Sequence, residues 1–149
     1  MGRVARRLTG CKIVGLDTPV FLYHLENNPG YSDLTQELLD GIERGRWEGI
    51  TSAITLMEVT VHPWQLEREE VARKYEALLV SFPHLSIAPI DREAARLAAQ
   101  LRARFGLRPP DALQAAAVLT RGAQAFVTND KRLKRLDPLI KVIVLEDLL

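Results

Sequence analysis

Five short runs of mostly apolar residues, separated by stretches with helical periodicity, constrain this chain more than any other feature. They are Lys12–Leu16, Gly49–Ser52, Leu85–Ile90, Ala125–Thr128 and Val142–Leu145. Strands buried on both faces read as near-continuous hydrophobic runs, because neither side of the pleat meets water. Between the runs, apolar residues recur at helical spacing. The sets are Leu34, Leu38, Leu39 and Ile42; Ile54, Met57 and Val61; Val71, Tyr75, Leu78, Leu79 and Phe82; and Ala94, Leu97, Ala98, Leu101 and Phe105. Residues three and four apart share a helix face, so each set predicts an amphipathic helix. Strands alternating with helices imply a mostly parallel sheet of about five short strands, covered on both faces in a three-layer α/β/α sandwich.

The punctuation agrees. Asp17 or Thr18 can cap a helix running through Val20 to Leu25, with Pro19 in its first turn and Asn27-Asn28-Pro29-Gly30 closing it. Gly45, Pro63, Pro83 and Gly106 are expected to stop the helices that precede them, and Asp91 to cap the one that follows. Asp111 is expected to open Ala112–Leu119, a helix so apolar that it must lie against the sheet or a second subunit.

With 149 residues, one domain spanning 1–149 is expected, residues 1–11 forming a leader before the first strand. No apolar run approaches the ~20 residues of a membrane span, and no secretory signal is evident, so a cytoplasmic protein is expected. Cys11 is the only cysteine, which excludes an internal disulfide or a multi-cysteine zinc site. The net charge of +1 comes from 20 basic and 19 acidic residues, so partners must be read from placement rather than total. Basic residues cluster before Lys12 and at Lys131-Arg132-Leu133-Lys134-Arg135.

In an open parallel sheet, ligands bind beyond the carboxyl ends of the strands. Asp17 directly follows the first strand and Asp130 follows the fourth. Glu58 lies about two turns into the helix after the second, and Asp111 sits at the start of the apolar helix. Singly, each has an ordinary role as cap, turn residue or surface charge. Jointly they are placed to meet at one edge, where their repulsion calls for a cation. All-oxygen ligands without histidine or cysteine select Mg²⁺ or Mn²⁺. Thr55, one turn before Glu58, and Thr128 and Asn129, beside Asp130, can orient these carboxylates. Lys131, Arg132, Lys134, Arg135 and Arg108 are candidates for contacting a nucleic-acid backbone. His24, His62 and His84 lack metal-ligand spacing, and Trp47 and Trp64 are expected to cover core edges rather than stack on bases.

The segments Ile13–Thr18, Ser52–Val59, Pro110–Ala116 and Phe126–Asp130, in this order and spacing, resemble those of PIN-domain nucleases, in particular the VapC-type toxins of bacterial toxin-antitoxin pairs. The resemblance implies an Mg²⁺- or Mn²⁺-dependent endonuclease acting on RNA, with Asp17, Glu58, Asp111 and Asp130 as metal ligands. It also implies a homodimer and a small antitoxin protein that blocks the site. Pro19 stands where the family often has a small polar residue, and the leader is longer than is common. A PIN nuclease of RNA maturation outside a toxin pair, and a non-catalytic domain binding RNA or protein, are the alternatives. Aspartate-nucleophile phosphatases are disfavoured, since they need a second Asp where Pro19 stands.

Overall fold

The computed structural model describes residues 1–149. Helix α1 (Arg3–Arg7) precedes strand β1 (Ile13–Leu16), followed by α2 (Thr18–Leu25), α3 (Ser32–Glu43), β2 (Glu48–Ser52), α4 (Ala53–Gln65) and α5 (Glu69–Ser81). After these come β3 (Leu85–Ala88), α6 (Arg92–Phe105), α7 (Pro109–Leu119) and β4 (Ala125–Thr128). A 3₁₀ segment (Lys131–Leu136), β5 (Lys141–Val144) and a closing 3₁₀ turn (Leu145–Leu148) end the chain. The five strands are all parallel, in the order β3-β2-β1-β4-β5. This is the expected three-layer architecture.

Alternation along the strands divides the core in two. Val14, Leu16, Ala125, Val127 and Ile143 pack with residues of α1 to α5 on one face. Ile50, Phe126, Val142 and Val144 pack on the other with α6, α7 and the 3₁₀ segment, including Leu133 and Leu136. Gly15 shows why glycine is needed at the centre of β1. A Cβ there would lie 3.0 Å from Val118 of α7, so its absence lets that helix settle directly on the strand.

Several local expectations are refined. Pro63 does not stop α4, which runs on to Gln65. A proline in the last turn forgoes only one amide bond, and its own carbonyl accepts from Arg68 N–H beyond a left-handed Glu67 (φ 56°). Asp111 does not open α7. Arg108 occupies the cap position and Pro109 and Pro110 the first two helical ones, where a missing N–H is harmless, so Asp111 falls in the first turn. The segment before β1 packs on the body of the domain: Val4, Ala5 and Leu8 are buried, and the Glu37 carboxylate of α3 accepts the Val4 and Ala5 N–H groups at 3.1 and 2.8 Å. Trp47 is buried as expected, whereas Trp64 is 49% exposed and lies outside the core. No helix is long and apolar enough to cross a membrane.

The chain leaves β1 toward β2 and β3 on one side, then returns to β4 and β5 on the other. The connections therefore diverge between β1 and β4, at the carboxyl ends of Leu16 and Thr128.

Candidate active site

Asp17 sits at this divergence. Its backbone N–H extends the β1–β4 ladder by donating to Val127 O at 2.9 Å, and its side chain caps α2 by accepting from Thr18 N–H at 2.9 Å. Capping and sheet pairing together leave the carboxylate little freedom. Thr128 Oγ1 donates to its other oxygen at 2.7 Å, and Gln114 Nε2 reaches the first at 3.2 Å. Burial pushes the Asp17 carboxyl above the usual 3.8; these hydrogen bonds oppose the rise, and the nearby charge of Asp111 adds to it.

From Asp17 the remaining acids are reached in steps. Thr18 Oγ1 donates to Glu58 Oε1 at 2.6 Å, linking α2 to α4. Thr128 Oγ1 also accepts the Asp130 N–H at 3.1 Å, joining the first acid to the last. Arg108 Nε donates to Asp111 Oδ2 at 3.0 Å, and its Nη2 lies 3.8 Å from Asp130 Oδ2. Arg132 clasps Asp130 with two bonds, at 3.0 and 2.7 Å, and holds that carboxyl below the usual range. The four acids are thus strung along one edge and joined pairwise. No three acidic, histidine or cysteine side chains are drawn together closely enough to hold an ion, and Asp111 and Asp130 are turned to arginines.

Beneath the acids lies a buried polar cluster of Thr18, Thr51, Ser52, Thr55, Gln114 and Thr128. Thr55 Oγ1 lies 2.8 Å from Thr51 Oγ1, 3.1 Å from Thr18 Oγ1 and 2.6 Å from Gln114 Nε2, while Ser52 Oγ donates to Gln114 Oε1. No buried side-chain nitrogen or oxygen lacks a partner, so the cluster is a satisfied network that fixes geometry rather than a strained one. Thr55 acts on Glu58 through Thr18, not directly. Asn129 does not touch the acids: it donates to Tyr23 Oη at 2.9 Å and accepts from Glu146 N–H, tying the end of β4 to α2 and the C-terminal turn.

Gln114 and Thr18 were not among the residues singled out for the site. Gln114 carries a readable signal: it is the one strongly polar residue between Ala112 and Leu119, one turn after Asp111. An unpaired amide there would be costly, so its presence implies a buried partner. Thr18 gives no such signal, since a threonine beside a cap is ordinary.

The candidate cations divide. Lys131 and Lys134 are paired with Glu146 and Asp147 of the C-terminal turn, at 3.4 and 2.6 Å. Arg108 and Arg132 face the acids, and Arg135 donates only to the Phe105 carbonyl, at 3.2 Å.

A parallel sheet with carboxylates strung along its connection-switching edge defines an α/β/α domain with an acidic candidate site. The PIN domain family model matches residues 14–139, and the chain belongs to that family. Among solved structures, the chain is similar to one from VapBC2 of Rickettsia felis bound to promoter DNA (TM-score 0.68, 20% identity, 89% of this chain and 98% of that one). It is likewise similar to DNA-bound VapBC from Salmonella typhimurium (0.63, 23%, 90% and 98%) and to a toxin-antitoxin complex from Klebsiella pneumoniae (0.63, 21%, 89% and 97%). At these identities the likeness is one of fold. A search of curated proteins finds no match.

Proposed function

We propose that the chain is a metal-dependent endoribonuclease, the toxin of a toxin-antitoxin pair, with Asp17, Glu58, Asp111 and Asp130 as its metal-binding and catalytic acids. The observation that carries this reading is a buried carboxylate, Asp17, held ready at the divergence of the sheet and within electrostatic reach of Asp111. Its desolvated charge is one that a cation would relieve.

The donor set is all oxygen, which fits Mg²⁺ or Mn²⁺. When bound, such an ion supplies positive charge that activates water and offsets the charge developing on the phosphate oxygens. The chain's own contribution is positioning. Thr128 and Gln114 aim the two oxygens of Asp17, Thr18 aims Glu58, and Thr55 braces Thr18. No side-chain nucleophile is required.

A groove of ≈ 360 Å³ opens beside Glu58, lined by apolar residues that include Leu22, Leu25, Pro63 and Leu66 and edged by His62 and Arg68. The toxin-antitoxin complexes among the structural neighbours support an antitoxin partner, and a chain lying in this groove would reach Glu58. Met57, Val61 and Trp64, all exposed on α4, favour self-association as a homodimer.

Cleavage of RNA by the purified protein in Mg²⁺ or Mn²⁺ tests the reading. Activity is expected to vanish in EDTA and to fall at least a hundredfold, on the order of an electrostatic catalytic contribution, in Asp17→Asn and Asp111→Asn. Unchanged cutting by both variants would refute it. A small reading frame beside this one, whose product silences the activity, separates a toxin from a maturation nuclease.

A further inference from the structure

Next to the acids, on the α6–α7 side, is a second and smaller cavity of ≈ 240 Å³ whose lining is mainly polar. Arg108, Arg132 and Arg135 wall it, with Asp111 at its edge and Gly106, Leu107 and Leu133 completing it. Three guanidinium groups converge there from two separate elements, the cap of α7 and the 3₁₀ segment after β4. Gly106 in left-handed conformation (φ 67°) turns the chain between α6 and α7, and Arg102 Nε fixes the following residue by donating to Leu107 O at 3.2 Å.

Like charges gathered around a cavity need a counter-charge. Asp111 and Asp130 supply two, through Arg108 and Arg132. Arg135 has none, its only partner being a neutral carbonyl. Nor can the start of α7 serve an anion well by itself, because Pro109 and Pro110 remove two amide donors. The cavity's affinity for an anion therefore resides in the arginines. A planar guanidinium suits a phosphate as well as a carboxylate, so Arg108 and Arg132 can exchange one for the other.

We propose that this arginine pocket receives a backbone phosphate of single-stranded nucleic acid next to the bond that is cut. We further propose that Arg108 and Arg132 serve as counter-ions to Asp111 and Asp130 until a divalent cation takes their place and frees them for that phosphate. This inference rests on the nuclease reading for the bond's position, but not for the pocket's chemistry. It narrows the five cations suggested by sequence to the three that line the cavity; Lys131 and Lys134 lie outside it, paired with the C-terminal acids.

The test is binding of a short fluorescein-labelled single-stranded RNA, and of DNA of the same sequence, by anisotropy in EDTA across a salt series. Arg135→Ala, which unmasks no carboxylate, should flatten the slope of log K against log salt by about 0.7 for one lost phosphate contact. Lys134→Ala should leave it unchanged. Equal flattening on RNA and DNA assigns the pocket to a phosphate of either, and flattening on RNA alone assigns it to RNA. A slope unaltered in Arg135→Ala, or altered as much in Lys134→Ala, overturns the pocket. Calorimetric titration with Mn²⁺ reads the exchange: Arg108→Ala, lacking the competing cation, should bind Mn²⁺ several-fold more tightly, and unchanged affinity overturns that role. Arginine-dependent binding without cleavage would leave the pocket standing and sink the nuclease reading. Cleavage with unaltered slopes would do the reverse.

Discussion

Asp17 concentrates opposing energies in one side chain. Burial disfavours its charge, while Thr128, Thr18 and Gln114 donate to that charge and Asp111 repels it. The balance raises its pKa, which has a consequence for stability. As pH rises past 3.8 the unfolded chain releases this proton first, so folding is progressively penalised until the folded carboxyl has also ionised, and the penalty is constant above that. Asparagine does not titrate. In metal-free buffer, Asp17→Asn is therefore expected to melt higher than the parent protein at neutral pH. The gap should close as pH falls toward the ordinary carboxylate value. Thermal melts of both proteins across this range check the sign, and a gap that widens in acid would contradict it.

At the scale of elements, α1 shows how little a short basic segment reveals by itself. Five residues cannot sustain a helix alone, since nucleation is unfavourable and isolated helices of this length are marginal. The segment is helical because α3 receives it: Glu37 satisfies two of its amides, Leu8 is 1% exposed, and Arg3 donates to Leu148 O at 3.0 Å. Leu8→Ala is expected to cost about 2–5 kcal/mol, as for other core leucines, measured by urea unfolding. A cost below about 0.5 kcal/mol, ordinary for a surface site, would return residues 1–11 to the status of a leader. Elements with strong internal pattern behaved differently. Asp91 caps α6 through Ala94 N–H at 2.9 Å, Gly106 ends it in left-handed conformation, and α7 packs against the sheet, all as their sequences indicate. Pro63 and Trp64 were harder to read because a proline's effect depends on how near the helix end lies, and an aromatic residue's on what else covers it.

For the whole molecule, the metal site proposed above would couple folding to a ligand. If the four acids bind a divalent ion only when the fold assembles them, Mn²⁺ must stabilise the native state by mass action, with about 2.7 kcal/mol expected at a hundredfold excess over Kd. A saturable rise of Tm with Mn²⁺, absent in Glu58→Gln, is the expected result. Equal shifts in both proteins would mean that the ion binds elsewhere.

Sequence alone determined the alternation of strands and helices, the caps and stops that divide them apart from Pro63 and Asp111, and the placement of Asp17 and Asp130 just past apolar strands. These are local properties, set by side-chain periodicity and by backbone geometry that each segment carries with it. Only the tertiary structure decided that Arg108 and Arg132 hold Asp111 and Asp130, that Thr18 and Thr128 link Asp17 to Glu58 and Asp130, and that the N-terminal segment joins the core. Those pairings cross between elements distant in the chain. Their energies depend on which groups lose water together, a quantity that exists only once the sheet order has brought them to the same edge.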